Sequence, residues 1–137
     1  NLSVVVTELY VAEVKIPGNC TVTGASVFWG DATEGNAKVM LFDSAGTRVA
    51  LSASTDVSGF TADSYGTNIA FSGTYAAKGP ATYYVLLQHN NTGNRFNTHT
   101  FGDFGASKKT GETYGTFTTV TPPTTFTTAL GPIASLY

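Results

Sequence analysis

Charge is scarce in this chain. Only 12% of its residues are Asp, Glu, Lys or Arg, against about a quarter in an ordinary soluble domain. The longest basic run is Lys108-Lys109 and the net charge is −2, so the positive stripe that neutralises nucleic-acid phosphates is missing. Cys20 is the single cysteine, which excludes an internal disulfide; its ordinary role is that of a small buried apolar residue. Apolar runs stop short of the roughly 18 residues that a membrane span needs. No signal-peptide pattern opens the chain. Because the chain begins at Asn1 rather than Met, its start is either processed or preceded by a further amino-terminal segment.

Helical patterning is lacking too. Apolar residues do not recur at i, i+3, i+4 and i+7 without interruption by Gly or β-branched clusters. What fills the chain instead is Thr, Val, Phe and Tyr, residues that suit a pleated, half-buried surface. Hydrophobic residues make up 42%, which with so little net charge argues against disorder. A length of 137 residues suits a single domain spanning 1–137. Its surface must be built from Thr, Ser, Asn and Gly.

Extended segments alternate with turn signals. Ser3 to Ile16 reads as one long strand, closed by Pro17-Gly18 in a type II turn. Thr21 to Trp29 follows. Ala37 to Phe42 is apolar on both faces beyond Lys38, as a central strand would be. Asp43-Ser44-Ala45-Gly46 reads as a hairpin turn before Arg48 to Leu51. Ser52 to Ser64 is a polar connection. Asn68 to Tyr75 alternates, Lys78-Gly79-Pro80 breaks the chain, and Thr82 to Gln88 is the strongest strand signal. Arg95 to Phe101, Tyr114 to Val120 and Ile133 to Tyr137 are further extended pieces, with Phe104 to Gly111 as loop.

That makes about eight to nine strands without crossover helices, so the pairing must be mostly antiparallel. The fold class is all-β, an antiparallel β-sandwich or jelly roll. Phe28, Val39, Leu41, Phe71, Tyr83, Val85 and Leu87 are the expected core.

The Thr-rich stretch from Thr113 to Thr128 is punctuated by Tyr114, Phe117, Val120 and Phe126, each of which favours burial. It therefore reads as ordered structure rather than a mucin-like stalk. Pro122 and Pro123 cannot sit in a central strand, so they mark an edge, a corner or a crossover between sheets. An uncharged, Thr-covered edge is poorly guarded against pairing with another chain. Thr116, Thr118, Pro122, Pro123 and Phe126 are the candidate subunit-contact surface.

Reactive constellations are sparse. His89 and His99 are the only histidines, and with Cys20 they show no zinc spacing. Asp31, Glu34 and Asn36 in GDATEGN do not follow a calcium-loop pattern. No G-x-S-x-G nucleophile, paired carboxylates or Gly-rich phosphate loop is present. No catalytic, metal or cofactor site is therefore expected, and the chain reads as non-enzymatic. Carbohydrate binding is the rival reading, with Trp29 and Tyr84 as the candidate sugar platform and Tyr65, Tyr114, Asn94 and Asn97 in support.

The run YYVLLQHNNTGNRFNTHTFGDFGASKKTG, the closing TPPTTFT…GPIASLY and the upstream AKVMLFDSAGTRVALSAS together resemble a family of small β-rich structural proteins of tailed bacteriophages and prophages. The resemblance runs from about Val14 to the end of the chain. It implies a virion component without enzymatic activity, of the capsid-decoration, head-fibre or tail-associated type. Its partners would be other copies of itself, as a trimer or other symmetric oligomer, and the major capsid protein, with host glycans under the rival reading. Neither nucleic acid nor membrane is an expected partner. Assembly would take place in the bacterial cytoplasm, where a chain without disulfides is at home.

Overall fold

The computed structural model describes residues 1–99, 105–115, 117, 119–122, 124 and 130–137. The chain is all-β. Among the described residues eleven strands and no helix occur, and every pairing is antiparallel. In chain order they are β1 (Leu2–Ser3), β2 (Glu8–Ile16), β3 (Cys20–Val27), β4 (Asn36–Phe42), β5 (Arg48–Leu51), β6 (Thr55–Asp56), β7 (Ile69–Ala77), β8 (Ala81–His89), β9 (Arg95–Phe96), β10 (Ala106–Thr110) and β11 (Ala134–Leu136).

A large sheet has the order β10-β2-β8-β4-β5, with β6 also paired to β4. A small sheet has the order β11-β3-β7, and β1 pairs with β9. The two larger sheets face each other across the main core. From β8, Tyr83, Val85 and Leu87 point into it. They meet Val22, Ala25, Val27, Ile69 and Phe71 of the small sheet. Each such side chain contributes about 1.5–3 kcal/mol by leaving water.

The intervening residues of the large sheet are apolar as well. Leu9 and Val11 on β2, Met40 and Phe42 on β4, and Tyr84 and Leu86 on β8 form a second cluster on the opposite face. That cluster is completed by Phe117 and Val120. The segment after β10 thus lies as a strap over the outer face of the large sheet. Gly115 N donates to Gln88 Oε1 at 2.8 Å, Tyr114 Oη and Ser54 Oγ are 2.8 Å apart, and Val120 N donates to Gly46 O at 2.9 Å. Arg48 also donates to Phe117 O. The chain then passes from the large sheet, which holds β10, to the small sheet, which holds β11. Pro122 lies on this stretch, and Pro123 is outside the described residues.

Several expectations are revised. The apolar stretch after Ser3 is not one strand: the chain turns at Val6-Thr7, where Glu8 N donates to Val5 O at 2.9 Å. Phe104 to Gly111 is not all loop, because Ala106–Thr110 forms the edge strand β10. Its Lys108 and Lys109 are the charged guard that an edge strand uses. Gly18 does not take the left-handed φ that a type II turn requires. Gly79 packs against its backbone instead, and Gly79 N donates to Asn19 Oδ1 at 3.0 Å. The Asp43–Gly46 turn is as expected. Gly46 has φ 83° and its N–H donates to Asp43 O at 3.0 Å.

One buried polar group holds the start of β2. Tyr10, 1% exposed, accepts from Val5 N at 2.9 Å and donates to Glu8 Oε2 at 2.6 Å. Lys108 Nζ donates to Glu8 Oε1 at 2.8 Å. Burial pushes the Glu8 carboxyl up, but the hydrogen bonds from Lys108 and Tyr10 outweigh it and leave the group below its ordinary value. Tyr10→Phe removes both bonds of the hydroxyl, so it should cost about 1–3 kcal/mol in urea-induced unfolding.

Candidate functional site

Among the described residues no three His, Cys, Asp or Glu side chains come together as a metal-binding group. The GDATEGN loop spends its polar groups internally. Asp31 Oδ1 lies 3.6 Å from Arg95 Nη1, and Asn36 Nδ2 donates to Ser54 Oγ at 3.0 Å. Hydrogen bonding to Asn1, with Arg95 nearby, holds the Asp31 carboxyl below its usual range. His89 is fully buried, and burial pushes its pKa down to about 3. Cys20 is exposed at the start of β3, not buried as its residue type suggested. The turn Pro17–Asn19 leaves it at the end of the sheet, paired with Ala77 of β7.

A groove of about 600 Å³ runs along the seam between β2 and β11. Val14, Ile16, Val22, Pro132, Leu136 and Tyr137 form its apolar wall. His99 also lines it.

The most distinctive surface is the outer face of the small sheet. No residue of β3, β7 or β11 is charged. Thr21, Thr23, Ala70, Ala76 and Ser135 are exposed on it. The large sheet is covered by the main core on one side and the strap on the other; on the small sheet Tyr65 covers Ser26 and the Tyr137 ring lies against Gly24, and the five residues just named stay exposed around them. Chemically it offers short hydroxyls and methyls on a stiff ladder. Such a surface can pack closely against another flat surface, and it carries no acid, base or nucleophile.

The candidate residues fall as follows. Trp29 is 0% exposed and Tyr84 6%. A sugar platform needs an open ring face, so these two rings do not form one. The alternation of β3 explains Trp29. Thr21 and Thr23 point outward, and strict period two would place Trp29 outward as well, with Phe28 inside. A register shift between Val22 and Gly24 inverts the parity. Trp29 therefore enters the core, and the expected core residue Phe28 is half-buried on the other side, edge-on to Tyr65 at 5.2 Å.

Tyr84 lies under the strap. Asn94 is buried and its amide braces Glu34, Asn97 Nδ2 donates to Trp29 O at 2.9 Å, and Tyr114 is tied to Ser54. Tyr65, 42% exposed, is the one proposed sugar-contacting ring left open. On the proposed contact surface, Pro122 is half-buried. Thr116, Thr118, Pro123 and Phe126 lie outside the described residues. The flanking Phe117 and Val120 are turned inward onto the chain's own sheet. The small-sheet face was missed because its signal is an absence: three separate strands without a charge, adjacent only after folding. Comparisons with protein-family models, with curated proteins and with solved structures give no match.

Proposed function

We propose that this chain is a non-enzymatic structural domain of a virion, decorating or stabilising the capsid surface through repeated contacts with neighbouring subunits. The observation that carries this reading is the charge-free outer face of the small sheet, exposed at Thr21, Thr23, Ala70, Ala76 and Ser135, beside a large sheet that packs an apolar cluster on each face and carries lysines at its β10 edge. A face without charge lets identical neighbours approach without repulsion. Symmetry then multiplies a modest contact into a stable lattice. The resemblance of AKVMLFDSAGTRVALSAS and TPPTTFT…GPIASLY to phage structural proteins supports the virion as the setting. The expected partners are further copies of the chain and the major capsid protein.

The test is direct. The purified chain is added to particles that lack it, and the product is imaged by electron cryomicroscopy alongside light scattering of the free chain. The reading expects symmetric occupancy with the small sheet turned toward a neighbour. A chain that stays monomeric and leaves the particles bare would defeat it.

A further inference from the structure

His89 is an unusual core residue. It ends β8 on the same face as Val85 and Leu87, opposite Ala37 on β4. Neither ring nitrogen has a hydrogen-bond partner, and the indole Nε1 of Trp29 is likewise unpartnered. The two rings meet edge to face, with centroids 5.5 Å apart. A buried imidazole without an acceptor has nothing to hold a second proton, so it must stay neutral while it stays buried.

The segment 57–68 closes this end of the sandwich. Phe60 packs on Trp29 at 5.7 Å, and the Gly66 backbone lies against the indole so closely that a Cβ would sit 2.7 Å from Nε1. The segment contains no named strand. Val57 anchors its start in the main core. Beyond that its ties are hydrogen bonds and ring contacts rather than a ladder: Val57 N to Gly35 O at 2.9 Å, Thr33 Oγ1 to Phe60 O at 3.1 Å, Asp63 N to Gly30 O at 3.0 Å, Trp29 N to Ser64 O at 2.8 Å, Asn97 Nδ2 to Asp63 Oδ1 at 3.5 Å, Ser26 to Tyr65 O, and the Tyr65 ring edge-on to Phe28.

The charged groups of the surrounding elements are engaged elsewhere. Asp31 pairs with Arg95, Asp56 accepts from Ser58, Lys38 lies over Tyr114 and Asp63 faces Asn97. The Glu34 carboxylate lies against Gly93. None hydrogen-bonds the imidazole.

We propose that segment 57–68 is an acid-released cap: protonation of His89 drives it off Trp29 while the two sheets remain paired. The cap reaches His89 through Trp29 and holds no strand, so lifting it opens the way to the ring without breaking a ladder of β4 or β8. Burial pushes the native ring down to about 3 from an ordinary 6.5. The open form therefore binds more protons across that window. Opening should be pH-independent above about 6.5 and rise about tenfold per unit as pH falls toward 3.

Trp29 is the only tryptophan, so acrylamide quenching of its fluorescence reports the cap, and far-ultraviolet circular dichroism reports the sheets. The expected result is growing Trp29 accessibility below about pH 5 with unchanged dichroism, absent from His89→Phe over the same range. Quenching that stays constant to pH 3.5, that rises equally in His89→Phe, or that coincides with loss of the sheet signal would overturn the proposal. Should His89→Phe not fold, NMR titration of the His89 ring in the wild type decides. Protonation coupled to shifts in 57–68 supports the cap, and a ring that titrates near 6.5 while the cap signals stand still removes it.

Discussion

Phe117→Ala should destabilise the domain by about 3–5 kcal/mol, the range for emptying a well-buried aromatic site. Phe117 is 3% exposed and packs on Phe42 at 6.2 Å with the rings at 71°. Lys109 Nζ lies 5.0 Å from its ring centroid. The loss is not confined to one cavity. Phe117 and Val120 are the apolar cover that the strap gives to Leu9, Val11, Met40, Phe42, Tyr84 and Leu86. With the ring gone, the strap loses its main attachment and that face meets water. Urea unfolding should show the lower stability, and binding of a hydrophobic dye to the native state should rise. A variant as stable as wild type, with no dye binding, would mean that the strap is not part of the fold's core.

Gly46→Val should cost about 3 kcal/mol by two additive routes, left-handed backbone strain and overpacking. Gly46 sits at φ 83° in the β4–β5 turn, where a β-branched residue is disfavoured. A Cβ at this position would also run into Val120 O, so the strap must shift. The second route gives the substitution diagnostic value. Once Phe117→Ala has loosened the strap, the collision with Val120 matters less. The double variant should therefore lose less than the sum of the two single losses, whereas independent sites would simply add. Strict additivity in urea unfolding would show that the turn and the strap do not communicate.

Much of the architecture could be read from local pattern. TYYVLLQ is apolar on both faces because β8 is central and its two faces serve two cores. AKVMLF is the same case on β4. The Asp43–Gly46 hairpin announced itself through turn chemistry, and IASLY is bounded by Gly131-Pro132. The unread parts have specific causes. Ala106–Thr110 looks like loop because an edge strand needs charge rather than grease. The turn after Val5 contains neither Gly nor Pro; it is held by the hydroxyl of Tyr10, five residues on, which leaves no turn signal in the pattern. The places of Phe28 and Trp29 depend on a register shift, and a one-residue slip exchanges inside for outside. The strap's destination was invisible for another reason. Phe117 and Val120 signal burial, but only the fold shows that their partner is the chain's own sheet.

The charge-free face of the small sheet follows from the same logic. Covering the large sheet twice leaves Thr21, Thr23, Ala70, Ala76 and Ser135 as an exposed, uncharged surface. The most direct test is sedimentation of the wild type and the double variant Thr21→Lys/Ala70→Lys across a concentration series, with thermal unfolding as a control for folding. The wild type should associate as concentration rises. The double variant should stay monomeric with an unchanged Tm, because like charges now face each other. A wild type that remains a monomer throughout, or a variant that associates just as well, would contradict the account.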